Sequence, residues 1–175
     1  MEIKKTDFNG VLILQPKVLE DSRGSFMESH RSEWFAGVKF IQDNEAVSKK
    51  GVIRGLHFQR PPFAQSKLIR VLTGRILDVI VDLRKSSDTF GQVFSIELSS
   101  ENKTQLLVPK GFAHGYATLT DSATVLYKVD QYYNKNYDTG IHPLSSGLSI
   151  DWGVKPILSE KDQNLLDYSD FKSPF

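Results

Sequence analysis

The sequence of 175 residues contains no cysteine, which excludes a disulfide framework and metal sites built on thiolates. It also lacks any apolar run near the roughly 18 residues that a transmembrane helix needs. Neither sign of charge is in excess, because 22 Lys and Arg stand against 21 Asp and Glu. Such a chain is not expected to bind nucleic acid or a membrane surface, and an anionic ligand would need a local cluster of cations. The N-terminus does not resemble a signal peptide, so we expect a soluble cytoplasmic protein.

The spacing of apolar residues predicts an all-β protein. Apolar side chains alternate with a period of two over residues 77–83, which is typical of a strand with two different faces. Similar runs, separated by turn residues, lie at 11–14, 52–58, 67–72, 93–98, 104–108, 112–119 and 124–133. Short strands at this spacing predict a single jelly-roll domain, residues 1–175, with a few short helices, at 32–36 and 159–166. The aromatic residues of segment 168–175 are expected to dock on this domain.

Two of the four histidines, His57 and His114, lie in segments that resemble the two halves of the cupin signature. In metal cupins the first half continues as His-x-His and then supplies a Glu a few residues later. Here Gln59 replaces the second histidine, and Phe63 and Ala64 stand where the Glu would be. Two histidines without a carboxylate do not complete the coordination sphere of Zn, Fe or Mn. We therefore expect a cupin-type barrel that binds no metal, in which His57 is free for acid–base chemistry.

The surroundings of His57 distinguish it from His30 and His142, which we interpret as hydrogen-bonded structural histidines. Polar side chains that are buried without partners are costly, so a group of them on the inward face of a barrel indicates a site. The group near His57 comprises Arg54, Gln59, Gln65, Lys67, Arg70, Asp78 and Asp82. Strict alternation places Arg54 and His57 on opposite faces of their strand. A bulge at Gly55 would bring both to the same face.

Several segments along nearly the whole chain carry a second, more specific resemblance. They lie at 21–28, 42–44, 51–59, 61–68, 78–84, 87–91, 109–115, 127–128 and 158–162, and the motif Arg-Gly-Leu-His-Phe-Gln at 54–59 is the most specific. Together they resemble the dTDP-4-dehydrorhamnose 3,5-epimerase family. The resemblance implies a jelly-roll homodimer without metal or cofactor that acts in bacterial deoxysugar synthesis. Such enzymes invert C3 and C5 of a nucleotide-linked 4-keto-6-deoxyhexose.

The resemblance also implies a set of catalytic residues. Inverting a carbon next to a ketone requires a base on one face, an acid on the other and a group that stabilises the enolate oxygen. By resemblance His57 is the base, Asp162 orients it, Tyr127 is the acid, and Lys67 is the cation near the C4 oxygen. On the residue pattern alone, Tyr127 reads equally well as a core aromatic, and Asp162 as a residue of a first helical turn.

The substrate-binding residues are likewise implied by resemblance. Cations suited to the diphosphate are Arg23, Arg54, Lys67 and Lys161, with His114 nearby. Residues matched to the base and sugar are Glu28, Gln42 and Asn44, with Phe26 as a further substrate-binding position. Tyr133 matches an aromatic that stacks on thymine, and Asp138 occupies a position usually held by Glu. In the family the segment with Arg23 and Glu28 crosses to the other subunit, so each site is completed by its partner.

Two segments depart from the family pattern, and they leave alternatives open. The chain has Ile-His-Pro-Leu at 141–144 and Trp-Gly at 152–153, where the family often carries Trp-Asn-Asp and Trp-Pro. Our main hypothesis is a 3,5-epimerase acting on dTDP-4-dehydro-6-deoxy-D-glucose. The alternatives are an epimerase of a related sugar that inverts C3 alone, a metal-dependent cupin enzyme, and a non-catalytic cupin that binds sugar nucleotides.

Overall fold

The computed structural model describes residues 1–35 and 37–175, most of whose regular structure is β-strand. Strands β1 to β13 span Glu2–Lys5, Leu12–Gln15, Leu19–Asp21, Gly24–Phe26, Gln42–Lys49, Ile53–Gln59, Lys67–Thr73, Arg75–Asp82, Val93–Ser99, Gln105–Val108, Phe112–Thr118, Ser122–Val129 and Asp138–Gly140. Helix α1 spans Glu160–Gln163, and 3₁₀ turns lie at Ser32–Trp34, Ser146–Leu148 and Tyr168–Asp170. None of the described helices has the length and apolar character needed to cross a membrane.

Two antiparallel sheets face each other, as expected for a cupin-type jelly roll. The larger has the strand order β1-β2-β10-β7-β12-β5, and the smaller has the order β13-β6-β11-β8-β9. Strands β3 and β4 form a separate hairpin. Apolar side chains such as Ile69, Ile80, Leu106 and Val125 fill part of the space between the sheets. The all-β prediction is confirmed.

Strand β8 shows how the period of two is used. Ile76 and Ile80 belong to the core between the sheets, whereas Val79 and Val81 lie in a second apolar cluster on the other face. Asp78 lies on the same face as the two isoleucines and is fully buried. The regular apolar face that predicts this strand is therefore its outer one, which another part of the chain covers.

That cover includes the C-terminal segment, so the prediction that residues 168–175 dock is confirmed. Phe171 and Phe175 both lie edge-on to Phe58 of β6, each with ring centroids 5.7 Å apart. The Ser173 hydroxyl donates a hydrogen bond to the Leu83 carbonyl. Because Phe58 is next to His57 in β6, the segment lies directly behind the strand that carries this histidine.

The predicted runs correspond to strands β2 and β6 to β12, with ends shifted by a few residues. The last run extends too far, because β12 ends at Val129. The helix expected at 32–36 is a 3₁₀ turn at Ser32–Trp34, and its last residue lies outside the described part. The helix expected at 159–166 is shorter: Ser159 is its N-terminal cap, and it ends at Gln163. Leu166 instead pairs with Ile141 in an isolated β-bridge.

Candidate active site

Two adjoining cavities, of about 410 and 300 Å³, open between the sheets. Both are lined by His57 from the smaller sheet, by Lys67 and Tyr127 from the larger sheet, and by Lys161 from α1. Four sequence-predicted residues from three parts of the fold thus meet at one place. The imidazole and the phenol enter from opposite sheets, so a ligand held between them would meet one group on each side.

His57 and Asp162 form a close pair. The Nε2 atom of His57 lies 2.5 Å from Oδ1 of Asp162, and the two side chains are 27% and 4% exposed. Asp162 is held by α1, whose N-terminal cap is the Ser159 hydroxyl, 3.1 Å from the Asp162 amide. Burial would raise the pKa of Asp162, but hydrogen bonds, the one from His57 foremost, lower it below the ordinary value. An ionised carboxylate only accepts, so Nε2 carries the hydrogen and Nδ1 of neutral His57 is left as the base.

A bulge lies at Gly55, the position at which one would bring Arg54 and His57 to the same face. His57 pairs with His114 and Arg54 pairs with Tyr116, so two residues of β6 oppose the single Gly115 of β11. Both Arg54 and His57 therefore line the smaller cavity. Gly55 has a φ of +129°, and a Cβ atom there would lie 2.5 Å from the Gly115 Cα. Only glycine suits this close approach of two strands.

Lys67 is the buried cation of the site. It is 9% exposed, and its Nζ donates to the backbone carbonyl of His57 over 3.3 Å. Burial lowers the pKa of Lys67 to about 8, against the opposing effects of Asp138 and Asp78. The ammonium is thus mostly charged at neutral pH, in surroundings where a developing negative charge on a ligand would be strongly stabilised.

Tyr127 projects from β12 beside Tyr116 of β11, and both line the smaller cavity. Burial and the neighbouring Tyr116 raise the pKa of Tyr127, so its phenol is protonated at neutral pH and can donate. Tyr116 escaped the sequence analysis, although it follows His114 by two and so lies on the same strand face. Its hydroxyl lies 3.3 Å from that of Ser48, which accepts a hydrogen bond from Arg54 at 2.9 Å.

The larger cavity is lined by a connected set of polar residues that the resemblance assigns to the nucleotide. Gln42 donates to Asn44 over 2.8 Å and accepts from the Tyr133 amide over 3.1 Å. The Tyr133 hydroxyl donates to Asp138 over 3.1 Å. The Lys161 ammonium lies 2.5 Å from the same carboxylate oxygen. All five predicted residues therefore lie at one mouth of the site.

His114 lines the smaller cavity and is paired with Asp78. Its Nε2 donates to Oδ2 of Asp78 over 2.9 Å, and both side chains are buried. Oδ1 of Asp78 has no hydrogen-bond partner among the described residues. Asp82, which the sequence analysis grouped with Asp78, has different partners: it accepts hydrogen bonds from Arg84, Ser87 and Thr89.

Some predicted residues do not reach these cavities within one chain. Arg23 and Phe26 line a separate depression of about 410 Å³ on the exposed β3–β4 hairpin. Glu28 lies just beyond the hairpin, 3.6 Å from Arg31. Arg70, which the sequence analysis grouped with the inward polar residues, lies elsewhere, in a small cavity with His30.

Gln59 stands where metal cupins carry their second histidine. The amide of Gln59 bonds to backbone groups of two loops. Across residues 1–35 and 37–175, no group of three His, Asp or Glu side chains converges in a way that could hold a metal ion.

Comparison with known proteins places this geometry in a family. The sequence model described as dTDP-4-dehydrorhamnose 3,5-epimerase matches residues 5–170. The curated protein of that name from Shigella flexneri is 47% identical over 170 residues, 94% of each chain. The structure of the Bacillus anthracis str. Ames enzyme with TDP and PPi bound is 46% identical, with a TM-score of 0.92, covering 95% of this chain and 98% of that one. The Legionella pneumophila Philadelphia 1 dTDP-6-deoxy-D-glucose-3,5-epimerase, in complex with dTDP-4-keto-L-rhamnose, is 39% identical, with a TM-score of 0.93 and coverage of 98% and 94%. The chain therefore belongs to the dTDP-4-dehydrorhamnose 3,5-epimerase family.

Proposed function

We propose that this chain inverts C3 and C5 of dTDP-4-dehydro-6-deoxy-D-glucose to give dTDP-4-dehydro-L-rhamnose, without a metal or cofactor. The observation that carries the proposal is the convergence of His57, Lys67 and Tyr127 on shared cavities, with Asp162 behind the imidazole. The similarity to named 3,5-epimerases supports the substrate and favours inversion at both carbons over C3 alone.

The proposed chemistry follows from the protonation states of these groups. Nδ1 of His57 removes the proton from the carbon next to the C4 ketone, and the resulting imidazolium is stabilised by Asp162. The electron pair moves to the C4 oxygen, where the Lys67 ammonium stabilises the enolate. The Tyr127 phenol then returns a proton to the opposite face of the same carbon, which inverts it. Proton exchange with water resets both groups, and the sequence repeats at the second carbon.

The diphosphate would be held by cations around the same space. Arg54 and Lys161 line the cavities beside Lys67, and His114 lines the smaller one near them. A guanidinium can bind two phosphate oxygens at once, and the ammonium groups add charge without that geometry. The base would then reach the mouth formed by Gln42, Asn44, Tyr133 and Asp138, with the Tyr133 ring stacked on thymine.

We further propose that the chain acts in the cytoplasm as a single-domain homodimer whose sites are completed by the partner's hairpin. The hairpin is exposed in one chain, with Leu19 and Phe26 at 53% and 65% exposure. Exposed apolar side chains grouped on a projecting element are typical of an interaction surface. This arrangement would deliver Arg23, Phe26 and Glu28 to a neighbouring site.

Incubation with the dTDP-4-keto sugar in heavy water tests the proposed reaction. We expect deuterium at both C3 and C5 and formation of the L-sugar, observed by NMR. His57→Asn should abolish exchange at both carbons while thymidine diphosphate binding, measured by calorimetry, persists. Label at C3 alone would reduce the activity to a single inversion, and no label at either carbon would refute the proposal. Activity that is lost on dialysis against a chelator and restored by one metal would refute metal independence.

A complementation experiment tests the shared site. Arg23→Ala and His57→Asn chains, each inactive alone, are co-expressed with different tags and purified as dimers. If Arg23 serves the partner's site, each mixed dimer contains one intact site, and random pairing restores about one quarter of wild-type activity. If Arg23 serves its own chain, activity remains absent and the shared site is refuted.

A further inference from the structure

Gln59, at the end of β6, has its whole amide committed to two loops. It is 3% exposed and lines the larger cavity. Its Nε2 donates to the carbonyls of Phe63 at 2.7 Å and Tyr132 at 3.1 Å, and its Oε1 accepts from the Asn134 amide at 2.6 Å. Both hydrogens and the oxygen are therefore occupied by backbone groups. Gln59 is part of the wall of the site and has no hydrogen left to offer a ligand.

Two of the three backbone groups that Gln59 binds lie on either side of Tyr133. The carbonyl of Tyr132 precedes this residue and the amide of Asn134 follows it. The Tyr133 amide donates to Gln42, and its hydroxyl donates to Asp138. Tyr133 is 57% exposed, so packing fixes its ring only weakly. The backbone around this exposed aromatic is thus held by hydrogen bonds to the side-chain amides of Gln42 and Gln59.

We propose that Gln59 is a positioning residue that holds Tyr133 in place for the nucleotide base and so governs substrate affinity rather than the proton transfers. The inference rests on the proposed function, in which Tyr133 stacks on thymine. Gln59 is two residues beyond His57 on the same face of β6, yet its bonds run to the loops. Its loss should therefore alter the mouth of the larger cavity and leave the His57–Asp162 pair in place.

The substitution Gln59→Glu tests this with almost no change in volume. The carboxylate still accepts from Asn134, but its second oxygen faces the carbonyls of Phe63 and Tyr132 with no hydrogen to donate. Such a buried mismatch corresponds to about a tenfold to hundredfold change in an equilibrium. We expect the Kd for thymidine diphosphate and the KM of the dTDP-sugar to rise by about tenfold or more, with kcat within about threefold of wild type.

A matched control is available in Gln15, whose amide also joins a loop. Its Nε2 donates to the Asn102 carbonyl, and its Oε1 accepts from the Thr104 hydroxyl. Gln15→Glu makes the same chemical change away from the cavities and should leave Kd, KM and kcat unchanged. A fall in kcat at unchanged Kd in Gln59→Glu, or an equal rise of Kd in both variants, would overturn the proposal.

A double-mutant comparison separates positioning from an independent contact. If Gln59 acts through Tyr133, then Gln59→Glu combined with Tyr133→Ala should bind thymidine diphosphate within about twofold of Tyr133→Ala alone. If the Kd of the double variant instead rises by the product of the increases in the two single variants, the inference is overturned. Should Gln59→Glu fail to fold, Gln59→Met removes the same hydrogen bonds without adding a charge and is judged by the same criteria.

Hydrogen exchange of the ligand-free protein tests whether Gln59 holds the two loops in place, independently of the proposed function. Backbone amides of residues 60–66 and 130–137 should exchange faster in Gln59→Glu, and those of β12 should be unchanged. Equal rates in wild type and variant would show that Gln59 does not hold these loops. A wild-type protein that binds no thymidine diphosphate would instead refute the proposed function, and with it the nucleotide role of Gln59.

Discussion

Replacing Lys67 by Met should make the protein more stable and far less active. Burial lowers the pKa of Lys67 from 10.5 to about 8, so the folded state disfavours the charged form. This difference corresponds to about 3 kcal/mol of lost stability wherever both folded and unfolded states are protonated. A methionine of similar shape carries no such cost. A cost of this kind to stability is expected of a residue with the catalytic role proposed for Lys67.

The sign of the effect sets its dependence on pH. Below about pH 8 the cost is fully present, and it falls as pH rises towards 10.5, because the folded protein loses its proton first. Chemical denaturation at pH 7 should show Lys67→Met to be more stable by up to about 3 kcal/mol, with the difference shrinking towards pH 10. Lys128→Met, which removes a lysine paired with Asp43 and lining neither of the two cavities of the site, provides the control and should show no such gain.

The activity of the wild type should fall with rising pH as Lys67 loses its proton, over the range in which the cost to stability also falls. About nine tenths of Lys67 is charged at pH 7 and about one tenth at pH 9, so kcat/KM should fall about tenfold over this range. The raised pKa of Tyr127 keeps the phenol protonated there. Lys67→Met should be slow throughout and should lack this decline. The reasoning is refuted if the variant keeps the same alkaline decline, or if it is no more stable than wild type at pH 7.

Further substitutions test the other parts of the site. Asp162→Asn should lower kcat by about 10²- to 10⁴-fold with little change in KM, because the amide no longer orients and stabilises the imidazole as it becomes charged; unchanged kcat in steady-state assays would show that the carboxylate is dispensable. Tyr127→Phe should still exchange protons with heavy water while product formation falls by at least about 10²-fold, and wild-type turnover would remove the phenol from the mechanism. Gly55→Ala should cost about 1–3 kcal/mol in urea denaturation, because its Cβ would lie 2.8 Å from the His114 carbonyl oxygen. Gly24→Ala, with a φ of +127° and nothing within 4 Å of the added Cβ, should cost less, and equal losses would contradict the steric argument.

Most strands could be predicted because their apolar side chains mark the core. Strand β5 could not, since its inward residues are Gln42, Asn44, Ala46 and Ser48. These side chains alternate in burial with exposed neighbours, and Gln42, Asn44 and Ala46 line the polar cavities rather than the core. The same property that makes the strand useful for binding removes the hydrophobic pattern from its sequence.

The site was predicted unevenly for a related reason. Family resemblance proposed His57, Tyr127 and Asp162 together, whereas alternation alone placed Arg54 and His57 on opposite faces and only a bulge at the glycine between them allowed both to face inward. Arg70 was grouped with the inward residues because it lies within a short stretch of polar residues around His57. Positions 67 and 70 differ by three, an odd number, so in an alternating strand Lys67 and Arg70 must point to opposite faces.

The pairing of His57 with Asp162 joins positions 105 apart along the chain. The histidine belongs to a strand in the middle of a sheet, whereas the aspartate belongs to a single helical turn. The chain just beyond that turn is attached to the neighbouring strand region by the hydrogen bond from the His142 amide to the Leu166 carbonyl. Short peripheral segments open at lower free energy than central strands do. Mild denaturant should therefore abolish catalytic activity while the circular dichroism spectrum still shows an intact barrel. Loss of turnover would then report the local unfolding of the C-terminal region.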